Sequence, residues 1–369
     1  MATILNFNSD PGTRVKRIDF FLKFPVNFLV LLSSCLTPID FPVEIKGGTL
    51  VVTGQISTIS DQNIIQLGRT ANTARLPFPL SGATIQLFDD VGNAFLYEEA
   101  FQNAGTYYLK NIAGVAGRIY YIQIDLIEGG SYKSIPEKLP EPSMQESVYY
   151  EIVKKKLTDG EGAVLDHDYM EIFSSSRLLS FKEPNYLKWE VEEAFLLSPT
   201  NFPGGFGSIP PPCFVVQNAD PQRIVLFDGS QVSSTTINNL LVGSRLIDWS
   251  FLERHYFTIY QSSITKEAYD YWRKVNIVAN QVGTIFDAPP AVIIGNIVCE
   301  GNPEVKTLGY FQAVNQIFKR FEIYATDLPF PLTVTTCGFT GSYDPLVYPK
   351  RCIDCTSLRN SSYTRPVWW

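Results

Sequence analysis

The chain has 369 residues and is 45% hydrophobic and 13% aromatic, so it holds enough apolar material for a core, and its length suggests two domains. Its formal net charge is −7 and its one basic block is Lys154–Lys156, which argues against a nucleic-acid partner. The abundance of Tyr and Phe beside three Met favours β-strands over helices.

Near the start of the chain, a basic flank, a short apolar run and a cysteine follow one another. Four basic residues between positions 14 and 23 precede an apolar run of about nine residues, far fewer than the roughly 20 that span a bilayer. The run ends in Leu32-Ser33-Ser34-Cys35, which is typical of a bacterial lipobox, because small residues admit the signal peptidase and the thiol accepts the lipid. We therefore predict a lipoprotein signal peptide over residues 1–34 and lipidation of Cys35 with acyl chains such as palmitate.

An alternative interpretation of this stretch stays open. Pro25 and Asn27 within the run would also suit a short buried helix that happens to end near a cysteine. Residues 1–12 are polar and carry no leader character, so either the leader is long or translation starts further in. The lipobox interpretation agrees with the order of flank, run, small residues and cysteine, and it is the one adopted here.

Residues 35–47 are expected to be a proline-punctuated tether, and strand signals begin after it. Residues 50, 52, 54 and 56 (Leu, Val, Gly, Ile) alternate with residues 51, 53, 55 and 57 (Val, Thr, Gln, Ser) at a period of two. Turn signals follow at Asp89–Asn93 and Glu128–Gly130. About seven short strands at this spacing predict a mainly β fold, opening with an immunoglobulin-like or fibronectin-like sandwich over residues 48–138.

The proline-rich segment Pro136–Pro142 is the predicted domain boundary, because prolines stop a strand from running through it. Strand signals then resume, with a hairpin expected over residues 147–173. The run Pro199–Pro212 predicts a long loop. We expect a second, tandem β-sandwich over residues 139–369.

One helix is predicted within this second sandwich, over about residues 265–282. Thr265 suits the N-cap, Glu267 favours the positive helix start, and Gly283 ends the pattern. One face carries the apolar residues Ala268, Trp272, Val275, Ala279 and Val282. We expect this face to pack across the sandwich; the alternative is that the helix presents a surface to a partner.

Five cysteines remain if Cys35 carries lipid, and we expect them to pair in structural disulfides in an oxidising compartment, with one left free or bonded to a partner. The candidates are Cys213, Cys299, Cys337, Cys352 and Cys355. The Cys352–Cys355 spacing also occurs at zinc and redox sites, but companion ligands and a βαβ pattern are missing from the sequence. We predict that Cys213 pairs with Cys352 or Cys355, with Trp368–Trp369 buried beneath that bridge.

The sequence offers no catalytic constellation, so no enzyme, cofactor or metal site is predicted. Walker-type and Gly-x-Ser-x-Gly motifs are missing, and His167 and His255 are the two histidines of the chain, each expected to be surface or hydrogen-bonded. Glu192 and Glu193 are neighbours on a predicted strand and point to opposite faces. A carboxylate pair assembled by the fold, as glycosidases use, stays open.

Several motifs, taken together and in order, resemble a known family. They are Gly48–Ile56, Pro79–Asp90, Gly117–Tyr121, Glu146–Tyr150, Tyr269–Trp272, Gly283–Pro290, Ile294–Asn296, Leu308–Phe311, Cys352–Cys355 and Pro366–Trp369. The chain resembles, over nearly its whole mature length, the Bacteroidota surface-lipoprotein family known as domain of unknown function 4249.

This resemblance implies an outer-membrane lipoprotein on the extracellular face, associated with a TonB-dependent transporter of the starch-utilisation type. The expected role is an accessory protein that is held in the membrane by its N-terminal lipid and helps to capture a small-molecule or oligomeric ligand. Only Asp40 and Glu44 follow Cys35 closely, rather than a dense acidic run, so a periplasmic location stays open. A surface hydrolase and a structural or adhesive module are the alternatives, and the helix and the Pro199–Pro212 loop are the expected contact elements.

Overall fold

Strands make up most of the fold. The computed structural model describes residues 48–71, 77–101, 103–158, 160, 162–178, 185–198, 211–232, 234–280, 292–332 and 347–369. Within these ranges the chain is mainly β, as its composition predicts, with three sheets and two α-helices. The predicted signal peptide, Cys35 and the tether all lie outside the described residues.

Short strands with alternating burial form in the first part of the chain. They are β1 (Leu50–Ser57), β2 (Ile64–Arg69), β3 (Phe78–Pro79), β4 (Thr84–Asp89), β5 (Ala94–Leu96), β6 (Glu98–Glu99), β7 (Thr106–Tyr108), β8 (Ile119–Asp125), β9 (Ser131–Ser134) and β10 (Glu137–Lys138). In β8, Tyr120, Ile122 and Ile124 are buried whereas Tyr121 and Gln123 between them are half-buried. The period-two prediction is therefore confirmed in this strand.

Longer strands and the helices follow. They are β11 (Met144–Thr158), β12 (Val164–Arg177), β13 (Tyr186–Leu197), β14 (Cys213–Asn218), β15 (Val225–Asp228), β16 (Thr236–Leu246), β17 (His255–Ile264), α1 (Lys266–Ala279), β18 (Ile297–Cys299), β19 (Leu308–Ile323), α2 (Lys350–Ile353) and β20 (Ser361–Ser362). The predicted hairpin is confirmed as β11 and β12, and the predicted helix is confirmed as α1, which ends at Ala279 rather than near residue 282.

The largest sheet has eleven strands and crosses the predicted boundary near residue 138. Its order is β20-β14-β13-β17-β19-β1-β2-β7-β6, with β15 beside β13 and β3 beside β2. The second sheet has the order β18-β9-β8-β4-β5, with β10 beside β8, and the third has the order β11-β12-β16. Strands from both predicted modules therefore share one hydrogen-bonded sheet.

Strand β19 joins the two parts of the large sheet, because its two halves pair with different strands. Residues 308–314 pair in parallel with β1, and residues 315–323 pair antiparallel with β17. Parallel pairing joins segments about 250 residues apart in the chain, from Val51 opposite Leu308 to Ser57 opposite Val314.

Two glycines let the chain cross closely at the start of β19. Gly309 has φ +87°, and a Cβ there would overlap the carbonyl oxygen of Val52. A Cβ at Gly295 would in turn overlap the carbonyl oxygen of Gly309. Asn296 completes the crossing, since its Nδ2 donates to the Phe311 carbonyl at 2.7 Å and its Oδ1 accepts from the Phe311 N–H at 2.9 Å. Only glycine fits such an approach without strain.

Two main hydrophobic clusters divide the interior. The first contains buried side chains from residues 50–139 together with Ile297, Phe311 and Ala313. The second is built from residues 170–328 around Trp189 and Phe257. The division follows the predicted modules in outline, but the first cluster also needs β18 and β19, which the sequence prediction had not assigned to it.

A disulfide ties the C-terminal region to β14. Cys213 and Cys355 are bonded with their Cα atoms 5.8 Å apart, inside the normal range, as one of the two predicted pairings requires. Cys352 is disulfide-bonded as well. Cys337 lies outside the described residues. Cys299, another candidate, carries a free thiol.

The terminal tryptophans are half-buried rather than enclosed. The ring of Trp369 contacts Phe214 and Tyr256 edge-on, and the Trp368 ring lies 3.6 Å from the guanidinium carbon of Arg320. The tail therefore covers one face of the large sheet beside the disulfide.

Candidate functional site

Helix α1 is fixed on the large sheet by its cap and by one aromatic side chain. Thr265 Oγ1 accepts a hydrogen bond from the Ala268 N–H at 3.1 Å, as predicted for an N-cap. Trp272 donates from its indole N–H to Gln312 at 2.8 Å, while the Lys188 ammonium lies 4.0 Å from the centre of the Trp272 ring. Ala268 is fully buried and Trp272 and Val275 are half-buried, whereas Ala279 is exposed and Val282 lies outside the described residues. The first part of the predicted apolar face therefore packs on the sheet, and its end does not.

A cleft of about 560 Å³ opens along one flank of this helix, and we call it the helix cleft. Its helical wall consists of Glu267, Asp270, Tyr271 and Lys274, which lie on one face because they are three or four positions apart. The other walls are residues 135–138, residues 294–296 and Tyr310. The cleft thus lies where the first hydrophobic cluster, α1 and the glycine crossing meet.

Glu137 is a buried carboxylate of the helix cleft, with 4% of its surface exposed. One carboxylate oxygen accepts a hydrogen bond from the Thr265 hydroxyl at 2.6 Å, and the other accepts from the Tyr310 hydroxyl. A hydroxyl can donate one hydrogen bond and accept another, so the Thr265 hydroxyl can donate to Glu137 and cap the helix at the same time. Glu137 therefore joins strand β10, the start of α1 and strand β19.

Burial raises the pKa of Glu137 to about 7. The hydrogen bonds from Thr265 and Tyr310 oppose this rise, and the nearby charge of Glu267 adds to it. Burial, followed by the charge of Glu137, also raises the pKa of Tyr310. At neutral pH the Glu137 carboxyl is thus poised between its two protonation states.

The rim of the helix cleft carries both signs of charge. Lys138, Lys274 and Glu267 are exposed, and Asp270 pairs with Lys266 along the helix. These groups can bind a polar ligand through hydrogen bonds and opposite charges. Across the described ranges, no three His, Cys, Asp or Glu side chains are grouped so as to hold a metal ion.

His255 and Glu193, both considered in the sequence analysis, belong to a buried hydrogen-bond network that is separate from the helix cleft. His255 is fully buried and its Nε2 lies 3.1 Å from Glu193, whose carboxylate also accepts from Arg245 at 2.6 Å and Gln217 at 2.6 Å. Burial raises the pKa of Glu193, but the hydrogen bond with His255 and the charge of Arg245 outweigh it, so the pKa is lowered. His255 is thus a hydrogen-bonded core histidine, as expected from the sequence.

Comparison with known families decides the relationship suggested by the motifs. A family model described as Domain of unknown function (DUF4249) matches residues 36–320. The chain belongs to this family. No curated protein matches the chain. In the part of the chain that the structure describes, none of the helices has the length and apolar character needed to cross a bilayer.

Three motifs by which the chain resembles the DUF4249 family meet at the helix cleft. Tyr271 comes from Tyr269–Trp272, Asn296 from Ile294–Asn296, and Tyr310 from Leu308–Phe311. A fourth, Gly283–Pro290, lies outside the described residues, as do residues 199–210 of the predicted contact loop. These three motifs, which are far apart in sequence, therefore share one place in the fold.

Sequence reasoning missed Glu137 because it treated the segment Pro136–Pro142 as a linker. The available signal was strand alternation, since Glu137 and the fully buried Leu139 lie two positions apart and share a face. A carboxylate at a position that alternation assigns to the interior indicates a partnered acid.

Proposed function

We propose that this protein is a lipid-anchored accessory protein of the outer membrane, on the extracellular face, that docks on a TonB-dependent transporter of the starch-utilisation type. In this proposal it assists nutrient capture by binding, with the helix cleft as the ligand site. The observation that carries the proposal is the cleft itself, where Tyr271, Asn296 and Tyr310 come together from three of the segments on which the family resemblance rests.

The chemistry of the helix cleft supports a role in binding. Its tyrosines, Asn296 and mixed charges offer donors, acceptors and aromatic surface in a volume of about 560 Å³, which suits a small ligand or the end of an oligomer. Helix α1 supplies one complete wall, in keeping with its predicted role as a contact element.

The proposal also includes the lipid anchor and the arrangement of the chain in two β-sandwiches. The lipobox at Leu32–Cys35 supports attachment to the membrane, and residues 35–47 would separate the lipid from the folded part. The two hydrophobic clusters support two immunoglobulin-like or fibronectin-like sandwiches in tandem, joined along the large sheet.

Copurification from native membranes tests this proposal. The tagged protein, extracted in mild detergent, is expected to bring a TonB-dependent barrel with it, and the Cys35→Ser variant is expected to bring less because it is released from the membrane. Recovery of the wild-type protein without any transporter, across several growth conditions, would count decisively against docking.

A hydrolase is the second candidate, because the helix cleft brings Glu137 together with Glu267 and Tyr271. A carboxyl with a pKa of about 7 has the character of a general acid. The two hydrogen bonds to Glu137 favour a structural role instead. Product formation from oligosaccharides or peptides that disappears in Glu267→Gln would establish the enzyme, whereas equal product from both proteins would exclude this mechanism.

A further inference from the structure

The opposite flank of α1 borders a second groove, of about 620 Å³, which we call the arginine groove. The helix contributes Tyr269, Arg273, Asn276 and Asn280, which are spaced by three and four positions and share a face. The facing wall contains Asp220, Gln222, Arg223 and the apolar side chains of residues 224–226 and 240–241. None of these residues belongs to the helix cleft.

The lining of the arginine groove is cationic on an acidic protein. It carries two guanidinium groups and one carboxylate, against a net charge of −7 for the whole chain. Asp220 is already matched by Arg223, whose positive charge opposes the rise that burial causes in the pKa of Asp220. The second guanidinium, on Arg273, is therefore the excess charge of this groove.

Within the part of the chain that the structure describes, the acidic partner of Arg273 is a distant one. Its Nε lies 3.9 Å from Asp270, and that carboxylate also pairs with Lys266. Among the described residues, the two Nη groups of Arg273 make no hydrogen bond, and its side chain is 54% exposed. The planar fork of this guanidinium is thus free to take a carboxylate through two parallel hydrogen bonds.

Neighbouring amides add a donor beside this fork. Asn280 Nδ2 donates to the side-chain oxygen of Asn276 at 2.6 Å and to its carbonyl at 2.8 Å. This arrangement occupies the oxygen of Asn276 and leaves its own Nδ2 as a donor one helical turn from Arg273. Arg223 closes the other side, held by its bond to the Leu241 carbonyl at 3.2 Å.

The arginine groove also has apolar lining residues. Tyr269 is held in place by its ring contact with Tyr186, with centroids 5.1 Å apart, and Leu226 packs in the same cluster. Leu240 and Leu241 belong, with Leu226, to the wall that faces the helix. A ligand that matches both the charged and the apolar lining carries an anionic group and an apolar body.

We propose that the arginine groove binds an organic monocarboxylate, with Arg273 and Arg223 holding the carboxylate and the apolar lining, which includes Leu240, holding its apolar body. A monoanion fits better than phosphate because Asp220 lies in the same groove and repels a second negative charge. This site goes beyond the function proposed above and does not depend on the membrane anchor or the transporter.

Isothermal titration of the purified full-length protein at low salt tests this site, with hexanoate as the probe. Hexanoate is expected to bind at least about 10-fold more tightly than neutral hexanamide, because the two compounds differ in charge. It is also expected to bind about 10-fold more tightly than acetate, which has the same charge but a much smaller apolar body. Hexanamide binding as tightly as hexanoate would overturn the proposal, and so would tighter binding of inorganic phosphate.

Variants on the two flanks of the same helix give the matched control. Arg273→Gln is expected to weaken hexanoate binding about 10-fold, and Arg223→Gln with Arg273→Gln to abolish it. Lys274→Gln, one position away but in the helix cleft, should leave the affinity unchanged. Unchanged affinity in the double variant, or an equal loss in Lys274→Gln, would refute the assignment; circular dichroism verifies that each variant is folded.

Discussion

Single polar residues with several partners hold the helix cleft together. Glu137 joins β10, α1 and β19 through two hydrogen bonds. The Asn296 side chain hydrogen-bonds to the backbone of Phe311, as a neighbouring strand would. Buried polar groups of this kind are stable only when their partners are in place, so their removal affects more than one element. The geometry of the cleft therefore depends on a few residues that are far apart in the chain.

The raised pKa of Glu137 predicts a pH-dependent stability. An ordinary glutamate carboxyl titrates near pH 4.5, whereas the folded chain holds this proton until about pH 7. Because the folded state binds more protons in that interval, its stability falls by up to about 1.4 kcal/mol per pH unit as the pH rises, and levels off above it.

Glu137→Gln is expected to remove this slope, since the amide stays neutral. Urea unfolding between pH 4.5 and pH 8 measures it, with the exposed Glu98→Gln as the control that keeps the wild-type slope. Wild-type and Glu137→Gln curves that run parallel over this range would contradict the prediction.

Gly309→Ala is expected to cost more than about 3 kcal/mol or to prevent folding, because strain at positive φ is added to an overlap with the Val52 carbonyl. Gly92→Ala is the matched control, since Gly92 has φ +90° but open space around its Cβ position, and should cost only about 1–2 kcal/mol. Denaturant unfolding gives both values. An equal cost for the two substitutions would mean that the close crossing is unimportant.

Among the elements, helix α1 has the widest role, because its two flanks border two different grooves. The face between them is anchored by Trp272, which lies over the nearly buried Lys188 and bonds to Gln312. Loss of this anchor would move both flanks together. The position of a single helix thus governs both candidate sites.

Trp272→Ala is expected to destabilise the protein by about 2–4 kcal/mol, because it removes a large contact and leaves the ammonium of Lys188 without its ring. Hydrogen exchange of the α1 amides should speed up in this variant. The control is Ile277→Ala on the exposed side of the same helix, where the side chain is 53% exposed and little change is expected. Equal exchange in the two variants would refute the anchoring role.

The Cys213–Cys355 disulfide ties the tail to β14 across a sequence separation of 142. In the chain-entropy account, opening a loop of this size costs about 4–5 kcal/mol, so Cys213→Ser with Cys355→Ser should lower the unfolding free energy by that order. A non-reducing peptide map should contain the 213–355 cross-link. A map with Cys213 joined to Cys352 would contradict the pairing.

At the scale of the whole molecule, local features were predictable and long-range ones were not. The Thr265 cap, the Ala268 face and the alternation in β8 follow from residues close together in sequence. The parallel pairing of β1 with β19 joins strands about 250 residues apart, and no local pattern specifies it.

The candidate site was predictable only in part, because some of its residues are brought together by long-range contacts. The helix could be identified from its cap and spacing, but Glu137 becomes a site residue only when Thr265 and Tyr310 are brought to it by the fold. Likewise, the sequence left Cys352 and Cys355 as equal partners for Cys213, and the three-dimensional position of β14 selects Cys355.

Cross-linking in intact cells tests the central claim most directly, because the chain carries exposed lysines on two different surfaces. Lys138 and Lys274 border the helix cleft, whereas Lys154 and Lys156 lie on the β11–β12 hairpin. If the helix cleft passes its ligand to the transporter, it faces the barrel, and a lysine-reactive cross-linker with mass spectrometry should give links from Lys138 or Lys274 to a TonB-dependent barrel. No link to any barrel would contradict docking, and links from the hairpin lysines alone would contradict a cleft that faces the transporter.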